Sequence, residues 1–206
     1  RGYMVLRSFD DVFRLWMKIA ELSPNDLDIR RRYFDLGRER SDEAKMNEGL
    51  DMMANVVGKD STEWRLAEAT RLTWRVSEGH DGREQLETVD RMLREIYEER
   101  PNWPLVLRAR ATVAMVQGDV DNAVENLEQA LDNGQNDINL VQQLADIYIK
   151  ANRKSDALRV LDSLDIGQRS PLVRRWILAL QDEKVSVDEV DAVVPTSSEN
   201  VNDLIW

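Results

Sequence analysis

Residues 111–123 read Ala-Thr-Val-Ala-Met-Val-Gln-Gly-Asp-Val-Asp-Asn-Ala and are the most informative stretch of the chain. The same order of small, apolar and turn residues returns 34 positions later, in residues 145–157. A constant period of this length is typical of proteins built from stacked pairs of helices. The chain is therefore predicted to be an array of similar helical units.

Six pairs of residues, each separated by 34 positions, define the register of these units. Small residues at positions 111 and 123 allow the two helices of a unit to approach closely, while Gly118 tolerates the left-handed conformation that closes the first helix. Each unit is predicted to be an antiparallel hairpin of two helices. The pairs are Leu107 and Val141, Ala111 and Ala145, Gly118 and Asn152, Ala123 and Ala157, Leu127 and Leu161, and Ala130 and Leu164.

The remainder of the chain also reads as helices joined by short turns. Apolar residues recur at intervals of three and four positions, which is the periodicity of amphipathic helices. The sequence Asp60-Ser-Thr-Glu63 has the spacing of a capping box and predicts a helix that continues to about Glu78. The next helix is expected from about Arg83 to Glu99, before Pro101.

These motifs resemble those of the tetratricopeptide repeat (TPR) family. The resemblance implies an all-α fold, namely a right-handed α-solenoid of antiparallel helical hairpins. We expect residues 1–180 to form the TPR-like array. The best-matching units are 104–137 and 138–171, and weaker units lie upstream, where Phe9–Leu22 resembles the second helix of a preceding hairpin.

Residues 181–206 are predicted to be an acidic tail with a short helix and a linker. This segment carries seven acidic residues and Lys184 as its one cation. Either it is a solvated tail, or it is an interaction segment for a basic partner. The apolar end at Val201–Trp206 either docks into a groove or begins the next element. Because the chain starts at Arg1 without a methionine, we interpret it as part of a longer protein.

Composition excludes several classes of function. The 206 residues include 39 Asp and Glu against 28 Lys and Arg, giving a formal charge of −11, with no cysteine and one histidine. Disulfides, zinc fingers, thiol nucleophiles and multi-histidine metal sites are therefore excluded. The acidic balance argues against nucleic acid as a partner, and no apolar run reaches the roughly 20 residues of a membrane span. We expect no cofactor and no enzymatic activity; the cellular location is left open.

Three local features have structural interpretations. The His80-Asp81 pair could orient an imidazole for general-base chemistry, but no nucleophile accompanies it, so loop polarity explains it better. The run Arg30-Arg31-Arg32 could bind nucleic acid or phosphate, but nearby acidic residues dilute its charge, and salt bridges to neighbouring helices are expected instead. The tryptophans, such as Trp176, are expected to pack in the core.

The TPR resemblance also implies a binding surface. In this family the first helices of the units line a concave groove that takes a peptide or a helix. In the register above, the inward positions of the two best units are Leu105, Arg108, Thr112, Met115, Asn139, Gln142, Asp146 and Ile149. Only Arg108 fits the family's carboxylate clamp, so a mixed polar and apolar ligand surface is expected instead.

The predicted function is therefore a non-catalytic scaffold for protein–protein interaction, with a protein or peptide as its partner. The alternative is a structural spacer or self-association module within a larger protein, which would include homo-oligomers.

Overall fold

The computed structural model describes residues 9–133, 138–164 and 171–181, and within these ranges it contains ten α-helices and no β-strand. The all-α prediction is confirmed, and consecutive helices pair with one another. The helices are α1 (Phe9–Leu22), α2 (Leu27–Glu39), α3 (Glu43–Val57), α4 (Thr62–Ser77), α5 (Gln85–Glu99), α6 (Pro104–Gln117), α7 (Val120–Asp132), α8 (Ile138–Lys150), α9 (Lys154–Asp162) and α10 (Pro171–Gln181).

Contacts group the described residues into two compact units. The first comprises residues up to Pro101 together with Thr112–Gly118, and the second comprises Asn102–Ala111 and the residues from Asp119 onwards. In the first unit, α2 packs on α1, α3 and α4, and α5 packs on α4. In the second unit, α8 packs between α7 and α9, and α9 also contacts α10.

The α2–α3 hairpin is antiparallel and unusually close. Gly37, near the end of α2, lies against the start of α3 at Met46, while Gly49 in α3 lies against Phe34 in the middle of α2. The turn between the helices contains Ser41, whose φ of 51° is left-handed. Phe34 and Met46 are almost completely buried.

A comparison of Ser41 with two other left-handed turn residues, Gly118 and Asn152, explains why the sequence pattern is weak in this hairpin. Gly118 (φ 85°) and Asn152 (φ 57°) close α6 and α8, which confirms the predicted turns. In both later hairpins the residues seven positions before and five after the turn residue are alanines: Ala111 and Ala123, and Ala145 and Ala157. Counted from Ser41, the same positions hold Phe34 and Met46, and the opposing glycines provide the space instead.

The α4–α5 hairpin differs from the others by a longer connection. The predicted cap at Asp60 is wrong by one residue, because the Ser61 Oγ accepts the hydrogen bond from the Trp64 amide at 3.2 Å. The second helix begins at Gln85, two residues later than expected, because the chain first completes the turn through Gly79 (φ 75°). Ion pairs between the two helices, such as Arg65 with Glu99 at 2.5 Å, hold the antiparallel arrangement.

The core of the second unit is formed by the residues that define the 34-residue register. Leu107, Ala111, Ala123 and Leu127 and their partners Val141, Ala145, Ala157 and Leu161 are all 0% exposed. Of the tryptophans expected in the core, Trp176 of α10 is buried, whereas Trp64 and Trp74 are partly buried against the core of the first unit and Trp103 is partly buried. The acidic tail predicted for residues 181–206 lies outside the described residues, apart from Gln181, which ends α10.

Candidate functional site

The predicted groove residues of α6 form a row along one side of that helix. Leu105 and Arg108 are partly buried, whereas Thr112 and Met115 are exposed, Met115 by 39%. Spacings of three and four residues place all four side chains on one face of the helix. The row therefore offers two apolar groups, one cation and one hydroxyl.

The corresponding row on α8 is more polar. Asn139 is exposed, and Gln142 and Asp146 are partly buried. The Asp146 carboxylate accepts a hydrogen bond from the Lys150 ammonium group at 2.8 Å. The fourth predicted member, Ile149, is 0% exposed, so its side chain belongs to the packed interior in this conformation. The part of this row that reaches the surface therefore consists of its first three residues.

A third row, which the sequence pattern did not reveal, lies on α2. The α6 row residues lie 13, 10, 6 and 3 positions before the turn residue Gly118. The residues at the same distances before the turn residue Ser41 are Asp28, Arg31, Asp35 and Arg38. Three of these four line an open cleft of about 370 Å³ together with Trp16, Ile29 and Arg32. The sequence pattern did not locate this row because its turn residue, Ser41, is a serine rather than the glycine or asparagine of the later hairpins.

The three consecutive arginines on α2 have separate structural roles. Arg30 is buried and donates hydrogen bonds to the carbonyl oxygen of Ala20 in the last turn of α1 and to those of Ser23 and Asp26 in the turn that follows. Arg31 lies 4.0 Å from Asp35, and Arg32 donates to Glu39 at 3.2 Å. The two salt bridges lie within α2 and not, as predicted, between α2 and neighbouring helices, and the run is divided between the interior and the surface.

The orientation of α8 is fixed by a tyrosine on its buried side. The Tyr148 hydroxyl donates a 2.6 Å hydrogen bond to Glu128 of α7, and Arg159 of α9 donates to the same carboxylate at 2.7 Å. Burial, and then the hydrogen bond to Glu128, raise the pKa of Tyr148 to about 12. The guanidinium group of Arg153 covers the Tyr148 ring at 4.6 Å. Three helices are thus tied together behind the α8 row.

In the first unit an ionic network joins the start of α3 to α4 and to the loop after it. Glu43 accepts hydrogen bonds from Arg71 at 2.9 Å and from Arg75. Arg75 also binds both carboxylate oxygens of Asp81. Asp81 is therefore held by an arginine, and the adjacent His80 ring lies 5.3 Å from the ring of Trp74. This arrangement fits the structural interpretation of the His80-Asp81 pair.

The network predicts a pH-dependent contribution to stability. The hydrogen bond from Arg75, together with the charges of Arg75 and Arg71, lowers the pKa of Glu43 despite partial burial. A carboxylate whose pKa is lower in the folded state stabilises the protein above its usual pKa and loses that contribution as the pH falls through the lowered value.

We therefore expect Glu43→Gln to unfold at lower urea than the wild type at pH 7, and the difference to shrink as the pH falls below the usual glutamate pKa of about 4.3 and through the lowered value. Urea midpoints measured from pH 7 downwards check the prediction. Glu87→Gln, an exposed position on α5, serves as the control. A difference between wild type and Glu43→Gln that is independent of pH would contradict the electrostatic explanation.

The fold and the surface rows together define a class of protein. It is a repeat protein made of helical hairpins, in which buried small residues pack the hairpins and the first helices present rows of polar and apolar side chains. No helix within the described ranges is long and apolar enough to cross a membrane.

Comparison with known proteins identifies the repeat. Residues 114–175 match the family model described as tetratricopeptide repeat. A solved structure of a thermophilic TPR protein from Thermus thermophilus is similar with a TM-score of 0.64 and 16% identity over 84% of this chain and 90% of that chain. No curated protein matches significantly. Residues 114–175 thus match the TPR family, and the chain shares its fold with a TPR protein, which confirms the resemblance seen in the sequence.

TPR domains are generally modules for protein interaction, and the fold is typically non-catalytic. Both general statements agree with the prediction from the sequence.

Proposed function

We propose that this protein is a non-catalytic scaffold that binds a peptide or a helix of a partner protein along the first helices of its repeats. The proposed contact residues are Leu105, Arg108, Thr112 and Met115 on α6, and Asn139, Gln142 and Asp146 on α8. Ile149 supports the α8 row from the interior.

One observation carries the proposal. The row on α2 that corresponds to the α6 row borders an open cleft of about 370 Å³, lined by the apolar Trp16 and Ile29 and by the charged Asp28, Arg31, Arg32 and Asp35. Ligand sites usually combine an apolar lining with a few polar groups, and this cleft has both kinds of group with a larger charged share. The equivalent positions of successive hairpins are therefore suited to contact a ligand.

The test first captures a partner and then measures its affinity. A photo-reactive amino acid in place of the exposed Met115 captures what lies on the α6 row, and the same group in place of Glu125 on α7 is the control for the opposite helix. The captured partner is then purified. We expect Arg108→Glu and Asp146→Arg each to change its affinity by about ten-fold, because each reverses a charge at the proposed contact.

Unchanged affinity in both variants would contradict the assignment of the surface. The alternative, a structural spacer, predicts no partner captured at Met115 and a monomer at every concentration in sedimentation. A self-association module predicts instead that sedimentation depends on concentration and that the captured partner is the same chain.

A further inference from the structure

The open cleft between α1 and α2 belongs entirely to the first unit, and its charged residues are not all paired. Arg32 donates to Glu39 at 3.2 Å, and Arg31 lies 4.0 Å from Asp35. The partner carboxylates of both arginines lie further along α2, towards its C-terminal end. Asp28, in the first turn of α2, has no cation within 4.0 Å among the residues that the structure describes. The cleft therefore presents a carboxylate with which a cationic ligand can pair.

Trp16 gives the same cleft an aromatic wall. Its ring packs against the core cluster that contains Phe13 and Tyr33, which holds the ring in place. Elsewhere in the first unit a cation covers a tryptophan, since the Lys59 ammonium group lies 5.7 Å from the centre of the Trp64 ring. Within the described part of the chain, no cation lies over the ring of Trp16. Among aromatic side chains, the tryptophan ring attracts cations most strongly, so this wall also suits a cationic group.

We propose that the cleft between α1 and α2 binds an arginine side chain from a basic segment of a partner protein. A guanidinium group is planar and stacks on an indole ring, and its parallel N–H groups pair with a carboxylate. Trp16 and Asp28 supply these two groups, and Ile29 supplies an apolar contact for the stem of the side chain. The formal charge of −11 favours the approach of a basic partner. This inference rests on the proposed function for the presence of a protein partner and specifies what the first unit recognises.

The test uses two peptides, acetylated and amidated so that no terminal charge contributes, which differ at one position. The central residue, flanked by leucine on both sides, is arginine in one peptide and citrulline in the other. Citrulline keeps the size and planarity of arginine but carries no charge. Fluorescence polarisation at physiological salt measures the affinity of each peptide for the full chain. We expect the arginine peptide to bind about ten-fold more tightly, because its hydrogen bonds to a carboxylate are charge-assisted.

Three variants of the full chain locate the site. Asp28→Asn is expected to weaken the arginine peptide about ten-fold and to leave the citrulline peptide unchanged, because it removes the charge but keeps the shape. Trp16→Leu should weaken the arginine peptide about three-fold, since the apolar contact remains but the aromatic face is lost. Asp51→Asn makes the same change of charge at an exposed position of α3 outside the cleft and is expected to have no effect. Circular dichroism confirms that each variant is folded.

Two results would overturn the inference at this stage. One is equal affinity for the two peptides, which would show that the positive charge is not recognised. The other is equal weakening by Asp28→Asn and Asp51→Asn, which would show a diffuse effect of the chain's charge. Asp35→Asn should weaken binding less than Asp28→Asn, because Asp35 already lies 4.0 Å from both Arg31 and Arg38. The reverse order would contradict the role given to Asp28.

Further measurements test the identity of the occupant. In a full-length variant with Arg1→Gln and Arg7→Gln, unchanged affinity for the arginine peptide supports a partner segment. Tighter binding would show that the chain's own arginines compete for the cleft and would overturn the proposal. Sedimentation at several concentrations tests for a second copy, because an oligomer that Asp28→Asn dissociates would place another copy of the chain in the cleft and would also overturn it.

The proposed function is tested by a different experiment, so the two can fail separately. Capture of a partner at Met115 without binding of the arginine peptide would leave the proposed function intact and overturn the inference. Binding of the arginine peptide as expected, with nothing captured at Met115, would support the arginine site in the cleft and contradict the contact surface on α6 and α8.

Discussion

Replacing Arg30 by methionine is expected to destabilise the protein by about 4 kcal/mol. The guanidinium group is buried and donates to the carbonyl oxygens of Ser23, Asp26 and Ala20 at 2.6, 2.7 and 2.9 Å. The Ala20 and Ser23 carbonyl groups lie in and just after the last turn of α1, where the helix dipole favours a cation, and the Asp26 carbonyl group directly precedes α2. Methionine keeps much of the apolar volume but leaves these acceptors without their donor.

Urea denaturation of the full chain measures this effect. Arg31→Met is the matched control, because it removes the neighbouring arginine from a partly exposed position where the nearest carboxylate oxygen is 4.0 Å away. We expect that variant to lose less than about 0.5 kcal/mol. Equal destabilisation by the two substitutions would contradict the role assigned to Arg30.

The second large effect is expected from Gly49→Ala, which should destabilise the protein by about 3 kcal/mol. In an exposed helix the same change is favourable by about 1 kcal/mol, because glycine loses more conformational entropy. Here a Cβ at position 49 would lie 2.8 Å from both the Cα and the Cβ of Phe34. Rotation of the phenylalanine ring cannot relieve a contact with the backbone, so α2 and α3 would have to separate.

The control is Asn47→Ala, at an exposed position two residues earlier in α3, which should leave stability nearly unchanged. Gly37→Ala should resemble Gly49→Ala, because its Cβ would lie 2.8 Å from the Met46 amide nitrogen. A stabilising effect at Gly49 would show that helix propensity dominates and that the hairpin is less tightly packed.

The second half of the chain was predictable from local sequence because its two hairpins have the same residue types at the close contacts and at the turn. Alanine at the close contacts, as in Ala111 and Ala145, and a residue that accepts positive φ at the turn, as in Gly118 and Asn152, identify both hairpins. These requirements act within a few residues of the chain and therefore leave a visible pattern. The complete burial of both alanines confirms the register.

The α2–α3 hairpin was harder to recognise in the sequence because other residues provide the space for its two helices to pack closely. Phe34 and Met46 occupy the positions held elsewhere by alanine, and the necessary space is provided by Gly49 and Gly37 on the opposite helix. A pattern of residue types along the chain does not reveal which residue faces which across a hairpin. For the same reason, Ile149 was predicted to face a ligand although it is buried.

The helical repeat, its turns and the class of protein could all be predicted from the amino-acid order, since each follows from local periodicity and backbone preference. Which polar groups remain available for binding depended instead on how the helices pack. Packing buried one arginine of a run of three against the end of α1, paired Glu43 with Arg71, 28 positions away, and paired Glu128 with Arg159, 31 positions away. Charge pairing depends on distances between side chains, and those distances are set by contacts between residues that are far apart in the sequence.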